Sequence, residues 1–520
     1  MKNEKDIAKL LDETGFDNSG FGVIDLNAEN FIEKIFSEEW LMEYFELDTA
    51  KKQQVLMKCK EKKIYKAFMS AIREIEEQRE DSFFVGDKFL HNKLGDYLIK
   101  KYNIINIDDV LHIYINNFYV DCSDGKKIGQ IMTKMLPQLT AKKRKEVFEY
   151  ISLSAPNKEE ASVNLINFKN GILDLEKMKI YKHTPDIVIR NKINYDFVEC
   201  KEPNELVDKF FMNFTVNDAN LVQLIYEMIG YCFYRSMPFQ KIFLLIGQGG
   251  NGKTTFLNLL EKIFSKANLA YDDLKDLVEN KHASVDLVDK MANIADDCSK
   301  SYINDPSVIK KITGDGTIRV EKKYRDAYAA KIYCKVIATF NEIPKINENS
   351  FAIQRRLCII PLNANFVNMP DRDVNIGKKL SEKENVEYII YKSIIAFKEV
   401  LKRNDFTEPE SAKQALNEYM LDNNSVLQFV EEVNSGEIEI YDFNKKMTIK
   451  ANFNTTPCNI IFARFCEWCK NNRYREISLS GFGKKMKELG YDVIQKQINN
   501  KRFRIYYKPE VKEIPEEPPF

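Results

Sequence analysis

The chain has 520 residues, 44% of them hydrophobic and 30% charged, and its 78 basic and 78 acidic side chains cancel to a formal charge of zero. That length allows about three domains of roughly 100–200 residues each, with ample apolar content for packed cores. It excludes a whole-chain field that draws in nucleic acid, so such contacts have to come from local patches. No stretch approaches the roughly 20 apolar residues that span a bilayer, and the opening MKNEKDIAKLL has no apolar signal run, so the expectation is a cytoplasmic protein with no membrane partner.

Residues 1–80 read as a polar, helical region. Lys51–Glu80 sets apolar side chains near helical spacing, without a Cys/His cluster and without the D-x-D strand that a two-metal primer-synthesising site needs. Residues 81–215 alternate short apolar runs with polar turns, a mixed α+β region. Within it, NLINFKNGILDLEKMKIY predicts strand, turn, strand, with Asn170-Gly171 as the hairpin turn.

Residues 216–364 have the pattern of an α/β nucleotide-binding unit with a mostly parallel sheet. A helix near Asn220–Tyr231 precedes an apolar strand, Ile242–Ile246. Then comes Gly247, Gln248, Gly249, Gly250, Asn251, Gly252, Lys253, Thr254 and Thr255, and a helix starting at Lys253. This is G-x-x-x-x-G-K-[ST] in its required strand–loop–helix setting. Glycines let the backbone wrap tightly so that amides point at phosphate oxygens, and the helix N-terminus adds a positive dipole end. Lys253 is expected to neutralise the terminal phosphates, and Thr254 to offer its hydroxyl to a metal, so ATP and Mg²⁺ are the expected ligands.

Phosphoryl transfer also needs carboxylates at a neighbouring strand end. Met291–Ala295 is such a strand, followed by Asp296 and Asp297: Asp296 is the expected metal ligand, and Asp297 would polarise the attacking water. A third strand, Lys335–Phe340, ends at Asn341, whose amide can sense the γ-phosphate. Arg355 and Arg356 precede the apolar run LCIIPL. In ring-forming ATPases an arginine from one subunit completes the neighbour's site, and Arg356 is slightly favoured for that part.

Residues 365–440 begin polar, continue as a helix over Val386–Arg403 and read as a helical lid or linker. Residues 441–508 form a compact basic segment: Ala451–Lys508 holds twelve Lys and Arg against four Asp and Glu. IIFARFCEWCKNN predicts a helix, ISLSGFGKKMKELG a second one capped by Ser480, and KRFRIYYK a strand or wing. Lys484, Lys485, Arg502 and Arg504 are the candidate DNA contacts. Cys466 and Cys469, a lone C-x-x-C, lie on the first of these helices, and the expectation is buried thiols. Residues 509–520 are an acidic, Pro-rich tail.

Three blocks in this order, GQGGNGKTT, KMANIADD and KVIATFNEIPKI with FAIQRRLCIIPL, resemble the superfamily 3 helicase domain of phage- and plasmid-type primase-helicases, related to the poxvirus primase-helicase. INFKNGILDLE and HTPDIVIRNKINYDF resemble the domain that precedes the helicase there, so the likeness covers roughly residues 85–508. The resemblance implies a P-loop, AAA+-like parallel sheet, a C-terminal winged helix, and a homo-hexameric ring moving 3′ to 5′ on single-stranded DNA. It also implies a DNA-contacting hairpin between the acidic and Asn motifs, where Gly314–Gly316 marks a turn and Thr317–Tyr324 a strand leading to Lys322, Lys323 and Tyr324, cations and a ring suited to a nucleic-acid strand. A separate primase or other replication protein is then an expected partner, since no primase site is evident. The alternative is an ATPase that binds and melts duplex origin DNA or loads other proteins.

Overall fold

The computed structural model describes residues 35–37, 40–41, 43–44, 47–78, 83–85, 88–280, 282–299, 303, 306–314, 316–321, 328–346, 351–369, 372–442, 447–472, 474, 476–498 and 501–509. The chain forms two compact units, one of residues 1–115 and 120–158, the other of residues 116–119 and 159–520. None of its described helices is long and apolar enough to cross a membrane.

The first unit is mainly helical. Its helices include Thr49–Glu61, His91–Tyr102, Lys126–Met135 and Ala141–Ser154, with a small antiparallel pairing of Ile105–Ile107 and Val110–Ile115. Asp48 caps the first helix by accepting from Lys51 N, one of the donors that an unfinished first turn leaves open. Leu94, Leu98, Ile128, Met132, Val147 and Ile151 form the main core.

The second unit opens with a meander of Leu165–Phe168, Gly171–Asp174 and Lys179–Tyr181. The hairpin exists, but its two turn residues are Lys169 and Asn170, because Gly171 already pairs with Phe168. Gly171 is needed for a different reason than the turn: an added Cβ would collide with Ile180 Cγ2 and the Tyr181 carbonyl of the third strand.

The centre is a five-stranded, all-parallel sheet: β1 (Ile242–Ile246), β2 (Leu269–Ala270), β3 (Ala292–Ala295), β4 (Lys335–Phe340) and β5 (Leu357–Pro361), in spatial order β2-β3-β4-β1-β5. Its strands read as unbroken apolar runs because both faces are covered. Phe243, Leu245, Ile337 and Ile360 face one core, shared with helices Glu205–Phe214, Ala219–Cys232, Lys253–Phe264 and Lys383–Arg403 and with Ile166, Phe168 and Phe197. Ile242, Leu244, Val336, Ala338 and Ile359 face the other, shared with Leu274, Ile309 and helix Glu410–Asp422. The sheet's cores therefore reach beyond residues 216–364 on both sides. Helix Lys383–Arg403 is no lid: Val386, Ile389, Ile390, Ile394 and Phe397 are fully buried in it. It lies so close to helix Ala219–Cys232 that a Cβ on Gly230 would strike the Ser393 carbonyl.

A third core joins helices Ser425–Ser435, Cys458–Asn471 and Leu479–Glu488 with the hairpin Asp492–Ile498/Lys501–Tyr507. It therefore begins near residue 425 rather than at 441. Ser478, not Ser480, caps the last helix, its hydroxyl accepting from Gly481 N at 3.1 Å. Cys469 is fully buried and burial pushes its thiol up to about 12; Cys466 packs against the same core.

Candidate functional site

Parallel strands deliver their carboxyl ends to one edge of a sheet, and a ligand cleft forms there. β1, β4 and β3 are successive neighbours, so the loop after β1, Asn341 after β4 and the acids after β3 emerge side by side. They line one cleft of about 910 Å³, within the usual range for small-molecule sites.

The loop turns through left-handed backbone at Gly250 (φ +82°) and Gly252 (φ +87°), angles that only glycine adopts without strain. The latter caps helix Lys253–Phe264. Asn251 does a different job from the one its place in the motif predicts. It is 2% exposed and donates to the Leu362 carbonyl at 2.9 Å, pinning the loop to the end of β5. Gln248 is exposed and lies outside the lining of this cleft. Gly247 leaves no room for a side chain, since a Cβ would collide with Asn251 Nδ2 and the Leu362 carbonyl. Gly247→Ala is therefore expected to displace the loop and lower nucleotide affinity by at least about tenfold, about 1.4 kcal/mol, as read by titration with a fluorescent nucleotide.

Thr254 Oγ1 donates to Asp296 Oδ2 at 3.0 Å. Thr339, buried on β4, donates to Asp296 Oδ1 at 2.7 Å and accepts from Asp297 N at 2.9 Å. Asn341 Nδ2 donates to Asp297 Oδ1 at 3.0 Å, and Lys253 Nζ donates to Asn341 Oδ1 at 3.5 Å. Lys253 Nζ also reaches the Gly247 carbonyl and, at 3.3 Å, the Gln248 carbonyl. Desolvation draws the Lys253 ammonium below the usual lysine range, opposed by Asp296 and Asp297. Asp297 holds a left-handed φ of +47°, a conformation that costs a non-glycine residue of order 1 kcal/mol and persists where its surroundings fix it. A cationic amine held mostly by neutral carbonyls, beside open loop amides, can take a polyphosphate. A hydroxyl and a carboxylate at hydrogen-bond distance can share a hydrated divalent cation.

Three further residues, two lining the cleft and Thr339 buried beneath its acids, escaped the motif reading. Thr339 follows from strand period, since it shares a face with Asn341. Phe210 and Phe366 stack on each other at 6.1 Å and 10° in the cleft wall. They come from a helix upstream of β1 and a segment after β5, and no local pattern marks them. Asn341 is also braced from behind. Tyr419 donates to the Pro344 carbonyl at 2.9 Å, the Asn423 side chain binds both backbone groups of Ile346, and the Lys345 ammonium lies 3.7 Å from the Tyr474 ring centre.

The arginine pair lies at the opposite, amino-terminal edge of β5. The preference for Arg356 is corrected: it is 7% exposed and turned inward, donating to Thr313 Oγ1 (3.0 Å), the Ala352 carbonyl (2.6 Å) and Gln240 Oε1 (2.8 Å). Arg355 is the exposed member, and among the described residues its Nη2 donates to Gln240 Oε1 at 2.7 Å. Strands Thr317–Val320 and Tyr328–Lys331 form an antiparallel hairpin. The first strand ends earlier than its pattern predicts, and Lys322, Lys323 and Tyr324 lie outside the described residues. In the third core, Lys484, Arg502 and Arg504 are exposed, while burial lowers the Lys485 ammonium.

Residues 38–212 match the family described as D5 N terminal like, and residues 245–356, from the glycine loop to Arg356, match a family of unknown function, DUF5906. A protein of Acanthamoeba polyphaga mimivirus named "Putative helicase L207/L206" is 27% identical over 224 residues, 41% of this chain and 23% of that protein. The chain thus spans about a quarter of the length of this curated relative. Two apo structures of the NrS-1 C-terminal region align with TM-scores of 0.48, at 14% and 13% identity. They cover 80% and 79% of this chain and 98% and 97% of theirs.

Proposed function

We propose that this chain is a phage-type primase-helicase relative, as its matches to the D5 N terminal like family and to the protein named "Putative helicase L207/L206" support, and that it is an ATP-dependent DNA helicase of a phage, plasmid or mobile element. It works in replication as a homo-hexameric ring on single-stranded DNA, moving 3′ to 5′. The observation that carries this reading is the closed chain of contacts from Lys253 through Asn341 and Asp297 to Thr339, Asp296 and Thr254 in one cleft.

In this reading the amides of the P-loop, residues 249–254, cradle the phosphates, and Lys253 neutralises charge on the β- and γ-phosphoryl groups. Phe366, half-buried at the cleft and backed by Phe210, offers an aromatic face for the base. Thr254 and Asp296 would hold Mg²⁺, which would neutralise charge on the phosphates. Asp297 and Asn341 orient the attacking water. Arg355, exposed at the far edge of β5, suits delivery to a neighbouring subunit's cleft, and Arg356 holds the backbone beneath it. The basic C-terminal core, with helix, helix and β-hairpin in sequence, has the order of a winged helix. Lys484, Arg502 and Arg504 would contact DNA there, and Lys322, Lys323 and Tyr324 would do so in the ring's channel.

The test is ATP turnover with and without single-stranded DNA, beside a mass measurement of the assembled species. The expected result is stimulation by DNA of about tenfold, one decade of barrier height, abolition by chelation of Mg²⁺, and a mass six times that of the chain. A monomer whose turnover ignores DNA would refute the motor. An enzyme that melts duplex but fails on a forked substrate would favour the origin-melting alternative.

A further inference from the structure

Toward its turn, the hairpin Asp492–Ile498/Lys501–Tyr507 has two unlike faces. In its register Gln495 lies opposite Arg504 and Gln497 opposite Arg502, which puts these four side chains on one face. All four are exposed, and none makes a hydrogen bond or ion pair among the described residues. Beyond Arg504 this same face enters the third core, where Tyr506 is buried, while the other face leans on residues 454–457. Lys496 Nζ donates to the Asn454 carbonyl at 3.1 Å, Phe503 is half-buried and Ile505 is buried.

A surface hairpin needs charge for solubility, but charge alone does not call for this pairing of side chains. Carboxamide and guanidinium groups are planar and offer two polar atoms at once. Gln pairs with the N6/N7 edge of adenine and Arg with the O6/N7 edge of guanine. Lysines, by contrast, serve as point charges for phosphate. The spacing also matches duplex DNA. Rows two residues apart on a strand stand roughly 6.6–6.8 Å apart, two base-pair steps of about 3.4 Å. The major groove, about 12 Å wide, admits a two-stranded ribbon. Asp492 is the only acid on either strand, at the end away from the turn, while Lys496, Lys501, Arg502 and Arg504 are basic. The ribbon is fixed to its support, since Tyr506 packs edge-on to Phe482 of helix Leu479–Glu488, and Lys484 and Lys487 on that helix are exposed. Those lysines can hold phosphate while the ribbon reads bases.

We propose that Gln495, Gln497, Arg502 and Arg504 read base edges in the major groove of duplex DNA, making the C-terminal core a sequence-selective duplex-binding module. The inference rests on the preceding reading only in taking DNA as the substrate. The ribbon distinguishes a preferred duplex from others, whereas the ring acts on single strands of any sequence.

The experiment is selection by the full chain from a randomised duplex pool, followed by fluorescence-anisotropy titration of the enriched and a scrambled duplex. The wild-type chain is expected to enrich a short sequence and to bind it about 10- to 100-fold tighter than the scramble, the range of one or two bidentate base contacts. A Gln495→Ala/Gln497→Ala chain, with its net charge unaltered, is expected to lose that ratio while its affinity for the scramble and its thermal midpoint stay put. Arg502→Lys/Arg504→Lys is expected to keep the salt dependence and lower the ratio, because a point charge replaces a fork. The proposal is overturned if no sequence is enriched, if the glutamine variant keeps the ratio, or if single-stranded DNA or RNA competes as well as the selected duplex. Selective duplex binding by a chain whose ATP turnover ignores single-stranded DNA would sink the motor and leave this inference standing. DNA-stimulated turnover with no enriched sequence would do the reverse.

Discussion

Lys253→Ala is expected to lower ATP turnover by about 100- to 1,000-fold, the loss typical of removing one preorganised charge-stabilising donor. Its ammonium is the meeting point of the cleft, reaching two loop carbonyls and Asn341 Oδ1. Losing it removes both a charge at the phosphates and the tie that holds Asn341 toward them. Burial draws this ammonium below the usual lysine range, and an incoming polyphosphate would favour its charged form. Phosphate release at saturating ATP and Mg²⁺ is the measurement, with Lys253→Arg as companion. Arginine keeps the charge, but its planar fork does not replace a compact ammonium in a slot closed by backbone carbonyls, so it should recover little. Turnover within about threefold of the parent, under 1 kcal/mol of barrier, would remove this cleft from consideration as a hydrolytic site.

Glu227→Leu is expected to destabilise the second unit by about 3 kcal/mol, the scale of breaking a buried ion pair. Its thermal transition should fall by about 5–10 °C. Glu227 is fully buried in helix Ala219–Cys232 and accepts four hydrogen bonds: from Gln223 Nε2, Arg403 Nη2, Thr407 N and Thr407 Oγ1, between 2.6 and 2.9 Å. Leucine matches the volume but leaves the Thr407 amide and hydroxyl without an acceptor. The effect should also reach the cleft. Thr407 starts the segment that enters helix Glu410–Asp422, whose Tyr419, together with the following Asn423, braces the backbone behind Asn341. Glu227→Leu should therefore lower turnover more than it weakens nucleotide binding. Differential scanning fluorimetry beside a nucleotide titration separates the two effects. An unshifted transition would mean that this carboxylate does not hold the segment.

The glycine loop was legible because everything it needs is local. An apolar strand, glycines at left-handed positions and a helix starting at Lys253 are consecutive in the chain, and their geometry follows from backbone sterics. Strands β1, β3 and β4, and the acids and amide that follow β3 and β4, were legible for the same reason. A buried parallel strand announces itself as an apolar run, and the residue that leaves it stands at the sheet's edge. The family blocks rest on the same local segments.

What depends on residues distant in sequence was decided by packing. Phe210 and Phe366 meet because a helix before β1 and a segment after β5 close on the same edge, and neither carries a mark of it. Arg355 and Arg356 are identical neighbours, and only the partners offered by Thr313, Ala352 and Gln240 turn one inward and leave the other exposed. Helix Lys383–Arg403 is amphipathic enough to be drawn as a linker, and the sheet face it covers makes it core. Gly171 and Ser478 each sit a step away from the local rule, one because of a third strand and the other because the helix begins earlier. Short-range sterics and periodicity thus set the loop and its strands, while burial, a property of the whole chain's arrangement, settled which side chains share the cleft and which face outward.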